Sequence, residues 1–160
     1  MKKLLVSACL VGDKVRYDGK GKFVPEVFDL KDHFDLLLCC PEFDAIKKAP
    51  RPKMELLKGS LFDEKGKDHT LAVLNSCENV VRLCRHLGVR YALLKSNSPS
   101  CGNEEIYDGT FSGKLVAGEG ILTKELKKIG ITVYNETQIR QLLLDTKIIR
   151  VKDGEDIISK

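Results

Sequence analysis

The chain has 160 residues, 42% hydrophobic and 31% charged, with a formal net charge of +4. That length suits one domain with a proper hydrophobic core, and the composition excludes a disordered or fibrous protein. The positive excess is scattered in short clusters such as Lys47-Lys48 and Lys127-Lys128, so it suits a small anionic ligand and supplies no basic arm for nucleic acid.

Six cysteines are too few for a disulfide-stapled secreted domain of this length. No segment approaches the roughly 18 apolar residues of a membrane span. The expectation is a cytoplasmic protein with reduced thiols and no membrane contact.

"KKLLVSACL" is a short apolar run stopped by Gly12. Its "LVSAC" also resembles a lipoprotein cleavage box, but Leu4 to Ala8 is shorter than the roughly 7–15 apolar residues an export signal needs. A first core strand explains the letters better. Residues 20–34 are compatible with a helix. "FDLLLCCPE" is a second strand, stopped by Pro41, whose alternation sends Cys39 and Cys40 to opposite faces. "AIKKAPRPKMELLKGS" reads as a long binding loop.

"HTLAVLNSCENVVRLCRHLG" then places Val73, Cys77, Val80, Cys84 and Leu87 at helical spacing before a Gly88 stop. "VRYALLKSNS" is a third strand and "IYDGTFSGKLVAGEG" a second long loop. A further helix runs from about Ile121 to Ile129, and "GITVYNE" is a fourth strand. "KIIRVKDGEDIISK" reads either as two short strands about an Asp-Gly turn or as part helix. The alternation predicts a single α/β domain of Rossmann-like type, a mainly parallel sheet with helices on both faces. Residues 1–137 would form its body, and 138–160 a C-terminal extension packed on it or trailing from it.

Cys9, Cys40 and Cys101 each stand at or just beyond the end of a predicted core strand. In an open parallel sheet the carboxyl ends of the strands share one edge, where ligands bind. These thiols can therefore meet there, with ordinary packing as the alternative for each. Cys39, Cys77 and Cys84 read as core. Glu42 lies two residues past Cys40, and "SNSPSCG" surrounds Cys101 with hydroxyls.

A zinc site of the usual kind takes four ligands with paired C-x-x-C spacing, which is absent. An iron–sulfur cluster needs only converging thiolates. With four irons and three cysteines, one iron would stay open as a Lewis acid.

Weaker candidates are Gly118 and Gly120 in "GEG", where a helix start could cradle an anion. Arg51 in "RPK" is either a solvated cation or a substrate contact, and Arg16 in "RYDG" is a phosphate contact only if its loop reaches the same edge. His69 precedes a helix and reads as part of its cap; His33 and His86 read as surface residues.

"VSACLVGDKVRYDG", "CPE", "PRP", "DHT", "LLKSNSPSCG", "IYDGTFSGK" and "GEGILTKEL" follow in this order from about Lys2 to Glu136. In this the chain resembles the small bacterial thiouracil desulfidase family. The resemblance implies non-redox removal of sulfur from a thiolated uracil base or its nucleotide, such as thiouracil or 4-thio-UMP, with release of hydrogen sulfide. It implies a [4Fe-4S] cluster held by Cys9, Cys40 and Cys101. Glu42 would help deliver water, and Ser98 would hydrogen-bond the substrate or relay a proton.

"FDAIKKA" replaces the glycine-rich, apolar stretch usual after "CPE", so this loop is expected to bear on substrate choice. The extra C-terminal domain of longer relatives is lacking, which leaves a small molecule rather than RNA as the expected partner. Two rival readings stand beside this one: a non-catalytic iron–sulfur or nucleotide-binding module, and a structural zinc-binding domain.

Overall fold

The computed structural model of the protein describes residues 1–159. Four parallel strands form the central sheet: β1 (Lys2–Ser7), β2 (Phe34–Cys39), β5 (Tyr91–Leu94) and β8 (Thr132–Asn135), in the order β2-β1-β5-β8. Side-chain alternation along these short apolar runs divides the core into two layers. Leu5, Cys39, Ala92 and Leu94 face α3 (Thr70–Leu87) and α4 (Ile121–Lys128). Leu4, Val6, Leu93 and Tyr134 face the other way, against α1 (Pro25–Phe28) and α5 (Ile139–Asp145). The fold is thus the expected α/β domain with helices on both faces of a parallel sheet.

Helix α3 buries Val73, Cys77, Val80 and Cys84 and ends at Gly88, whose φ of +70° closes the C-terminus. Leu87, predicted to continue the stripe, is exposed in the last turn. Residues 20–34 hold no single helix. Pro25 starts the four-residue α1 at its first turn, and a 3-10 turn over Asp29–Asp32 follows.

Both segments predicted as long loops take part in antiparallel hairpins that extend past their bounds. The first joins β3 (Met54–Leu57) to β4 (Ser60–Asp63) through Lys58-Gly59, both at positive φ as a tight primed turn demands. The second pairs β6 (Glu105–Tyr107) with β7 (Leu115–Ala117). Four- and three-residue strands are too short for periodicity to distinguish them from loop. At the C-terminus, β9 (Ile149–Lys152) and β10 (Glu155–Ile158) form the hairpin about Asp153-Gly154, so this stretch is not helical. The preceding α5 went unanticipated; its Leu142 is fully buried beside Tyr134 in the second core layer.

Strand order reverses at β1. The chain leaves β1 toward β2 on one side and leaves β5 toward β8 on the other, so the crevice beyond the carboxyl ends of β1 and β5 is the topological switch point. Ligands bind at that point in open α/β sheets.

Candidate active site

A cavity of about 140 Å³ opens at this sheet edge. Cys9 reaches it from a 3-10 turn (Ala8–Val11) just after β1. Cys40 reaches it from the residue between β2 and α2 (Pro41–Ile46), with Pro41 opening that helix and Glu42 in its first turn. Cys101 comes from the loop after β5, and Ser98 and Ser100 line the cavity beside it.

Glu42 is held from two sides. Ser100 Oγ donates to its Oε2 at 2.8 Å, with Ser98 Oγ at 3.4 Å from the same oxygen. Arg51 Nη2 stands 3.7 Å from Oε1. The Arg51 side chain is only 3% exposed and is fixed by donating to the carbonyls of Val15 (2.9 Å) and Lys48 (3.1 Å), while its Nε has no partner. Arg51 is therefore no solvated surface cation. It lines the cavity, as does Arg16, so the loop after β1 reaches the same edge.

All six cysteines are free thiols. Burial, and then the neighbouring Cys40 thiol, pushes Cys9 up to about 12 against the pull of Lys95 and Arg16. Burial and Cys40 likewise push Cys101 up to about 12, countered by the Ser7 and Ser100 hydroxyls. Cys40 is also raised, chiefly by burial, with Arg51 opposing. Metal ligation needs thiolates, so the cations around this cavity and the Ser7 hydroxyl are the groups that compensate their charge.

Three cysteine thiols at one cavity are the donor chemistry an iron–sulfur cluster takes from a protein. Among the described residues, no three His, Cys, Asp or Glu side chains are grouped closely enough to share one metal ion. A volume of about 140 Å³ is likewise roughly ten times what one water molecule requires.

Gly118 and Gly120 require a correction, because neither lines the cavity. Gly120 does precede α4, but the N–H groups there are already taken. Gly120, Ile121 and Leu122 donate to the carbonyls of Gly102, Pro99 and Ser100 at 2.8, 3.1 and 2.8 Å. A Cβ at Gly120 would come within 2.4 Å of the Ser100 carbonyl carbon, and one at Gly118 would press on Ile106. The helix start therefore clamps the Ser98–Gly102 turn and binds no anion. Thr123 completes the clamp by donating to the Cys101 carbonyl at 2.8 Å.

His69 pairs through Nε2 with Asp63 Oδ2 at 2.8 Å and does not line the cavity. It makes no side-chain cap; Asp68 instead accepts from the Thr70 N–H and hydroxyl. Sequence reasoning missed Ser100, Lys95 and Tyr107, while Lys53, a cation of "RPK" read as either solvated or functional, does line the cavity. Lys95 directly follows β5, so the strand-end criterion applied to the cysteines would have found it. Lys53 directly precedes β3 and Tyr107 ends β6, on the two unanticipated hairpins, with the Lys53 ammonium 4.2 Å from the Tyr107 ring centre.

The profile of the 2-thiouracil desulfurase family matches residues 4–138, which includes every element that brings a side chain to the cavity. The chain belongs to this family. Among curated proteins, the desulfurase chain is 30% identical over 150 residues to YbbK of Bacillus subtilis (strain 168), an uncharacterized protein, covering 88% of this chain and 99% of that one. Among solved structures it is similar to the [4Fe-4S]-dependent thiouracil desulfidase TudS, with 39% identity and a TM-score of 0.86. That match covers 91% of this desulfurase and 98% of TudS. No helix among the described residues is long and apolar enough to cross a membrane.

Proposed function

We propose that this desulfurase acts in the cytoplasm on a thiolated uracil, as the free base or as a nucleotide such as 4-thio-UMP, with Cys9, Cys40 and Cys101 holding a [4Fe-4S] cluster. The observation that carries the reading is the meeting of these three thiols with Glu42 at one switch-point cavity, in a chain 39% identical to a [4Fe-4S]-dependent thiouracil desulfidase. When bound, such a cluster supplies an iron without a protein ligand as a Lewis acid toward a thiocarbonyl sulfur.

The overall change is hydrolytic: a carbon–sulfur double bond and one water become a carbonyl and hydrogen sulfide, with no net electron transfer. Glu42 takes a proton from the attacking water. Its Oε2 accepts from the Ser100 hydroxyl, which leaves Oε1, beside Arg51, as the accepting oxygen. Ser100 fixes the carboxylate through that second oxygen, and Arg51 keeps a positive charge beside it as the carboxyl gives the proton up.

The four cations of the cavity separate into two pairs. Arg51 and Lys95 are 3% and 18% exposed, and both are committed, Arg51 to two carbonyls and Lys95 to Glu136 at 3.2 Å. Arg16 and Lys53 are 29% and 30% exposed and loosely paired, at 3.8 Å to Asp18 and 3.7 Å to Glu55. This outer pair suits a nucleotide phosphate entering with its base toward the thiols.

The test is sulfide release from thiouracil and 4-thio-UMP by anaerobically reconstituted protein. Glu42→Gln should retain iron and lose about 10²- to 10⁴-fold in kcat. Arg16→Ala and Lys53→Ala should raise KM for the nucleotide about tenfold and leave KM for the base unchanged. Full turnover by Glu42→Gln refutes the assigned base, and equal effects on both substrates refute the phosphate contact.

A further inference from the structure

Two hydroxyls stand near Glu42, and their hydrogen bonds are not equivalent. Ser98 Oγ accepts the backbone N–H of Ser100 at 3.2 Å and of Cys101 at 3.1 Å, so its lone pairs serve the turn into the cysteine. Its one proton can reach Ser100 Oγ at 3.0 Å or Glu42 Oε2 at 3.4 Å. Ser100 Oγ is 2.8 Å from Glu42 Oε2 and 3.7 Å from Cys101 Sγ. With one proton on each hydroxyl, the shortest contacts are all satisfied by a chain in one direction: Ser98 donates to Ser100, and Ser100 donates to Glu42.

Ser100 is also the better anchored of the two. The residue is 1% exposed, and its carbonyl accepts the Leu122 N–H at the start of α4. Gly120 packs so tightly against its backbone that no Cβ fits between them. A hydroxyl fixed by the helix and shielded from water gives a carboxylate one defined orientation.

We propose that Ser100 is the positioning residue for Glu42, and that Ser98 acts on Glu42 chiefly through Ser100. This rests on the reading of Glu42 as the base. Ser100 Oγ directs Oε2, which turns Oε1 toward the water it must deprotonate. The role differs from cluster retention, in which Ser100 would serve Cys101.

A double-mutant cycle on the full, anaerobically reconstituted chain separates these roles. Ser100→Ala should lower kcat about ten- to a hundredfold and leave KM within about twofold. Iron and sulfide content, thermal midpoint and calorimetric affinity for uracil should stay at wild-type values. Glu42→Asp withdraws the carboxylate from the opposite side without touching the cysteine turn, so adding Ser100→Ala to it should cost less than about threefold.

Equal cost of Ser100→Ala in both backgrounds overturns the proposal. So does loss of iron by Ser100→Ala, which would assign the hydroxyl to Cys101, or a rise in KM or fall in uracil affinity, which would make it a substrate contact. Failure of the underlying reading is separately visible, because Glu42→Gln would then turn over normally.

Discussion

The chain buries cysteines in two settings, Cys77 and Cys84 beneath helix α3 and Cys9 and Cys101 around the switch-point cavity, whose lining the core residue Cys39 also reaches. Burial alone does not distinguish them: Cys77 and Cys84 are 0% exposed, while Cys9 and Cys101 are 7% and 6%. Their surroundings do. Cys77 and Cys84 sit among Leu, Val and Ile side chains in the first core layer. Burial is the leading cause of their raised pKa values, with Cys84 at about 11, and no cation or hydroxyl pulls either back. Around the cavity, Lys95 and Arg16 oppose the rise at Cys9, Arg51 at Cys40, and the Ser7 hydroxyl at Cys101. The thiols proposed as ligands are thus set apart by neighbouring groups that stabilise a thiolate, which Cys77 and Cys84 lack.

The widest departure from wild type is expected at Gly120. Gly120→Ala would push a methyl against the Ser100 carbonyl and the Cys101 N–H, where no flexible side chain can yield. It should cost about 3 kcal/mol in stability and also lower cluster uptake, because the clamped turn carries Cys101. Thermal denaturation and iron content check the two effects together. Wild-type iron content in this variant would show that the clamp does not set the geometry of the thiol.

Cys77→Ala should separate the regions in the opposite sense, with a loss of about 1–2 kcal/mol from the core and no change in iron content. Urea denaturation beside an iron assay reads both. A smaller effect is expected at Asp63, away from the cavity. Its hydrogen bond from His69 holds the carboxyl below its usual value of 3.8. A carboxyl depressed on folding contributes stability above its unfolded pKa and loses it as pH falls through the folded one. Asp63→Asn should therefore be less stable than wild type at neutral pH and approach it below about pH 4, with sulfide release unaffected. A constant stability gap over that range would contradict the linkage.

The scaffold of this site was legible in sequence where elements are long or bounded by breakers. Pro41 marks the end of β2, Gly12 closes the 3-10 turn that follows β1, and the Val73-Cys77-Val80-Cys84 spacing marks α3. Placing three thiols at one edge followed from parallel strands alone. Helix α5 was missed because seven residues carry little periodicity, and what stabilises it is Leu142 packing in the core. The hairpins that bring Lys53 and Tyr107 were missed for the same reason of length.

At Gly120 the helix start was read correctly, but occupancy of its N–H groups by Pro99, Ser100 and Gly102 is a tertiary fact no local pattern carries. The ranking of Ser100 over Ser98 as the neighbour of Glu42 belongs to the same class. Both flank Pro99 in "SPSC", and the folded turn alone decides which hydroxyl comes nearer.

The most direct test is the iron and acid-labile sulfide content of six single Cys→Ala variants after anaerobic reconstitution, each confirmed folded by its thermal midpoint. Cys9→Ala, Cys40→Ala and Cys101→Ala should lose most of both, while Cys39→Ala, Cys77→Ala and Cys84→Ala should match wild type. Full content in any of the first three, or loss from a folded variant among the last three, would contradict the division between ligand and core thiols.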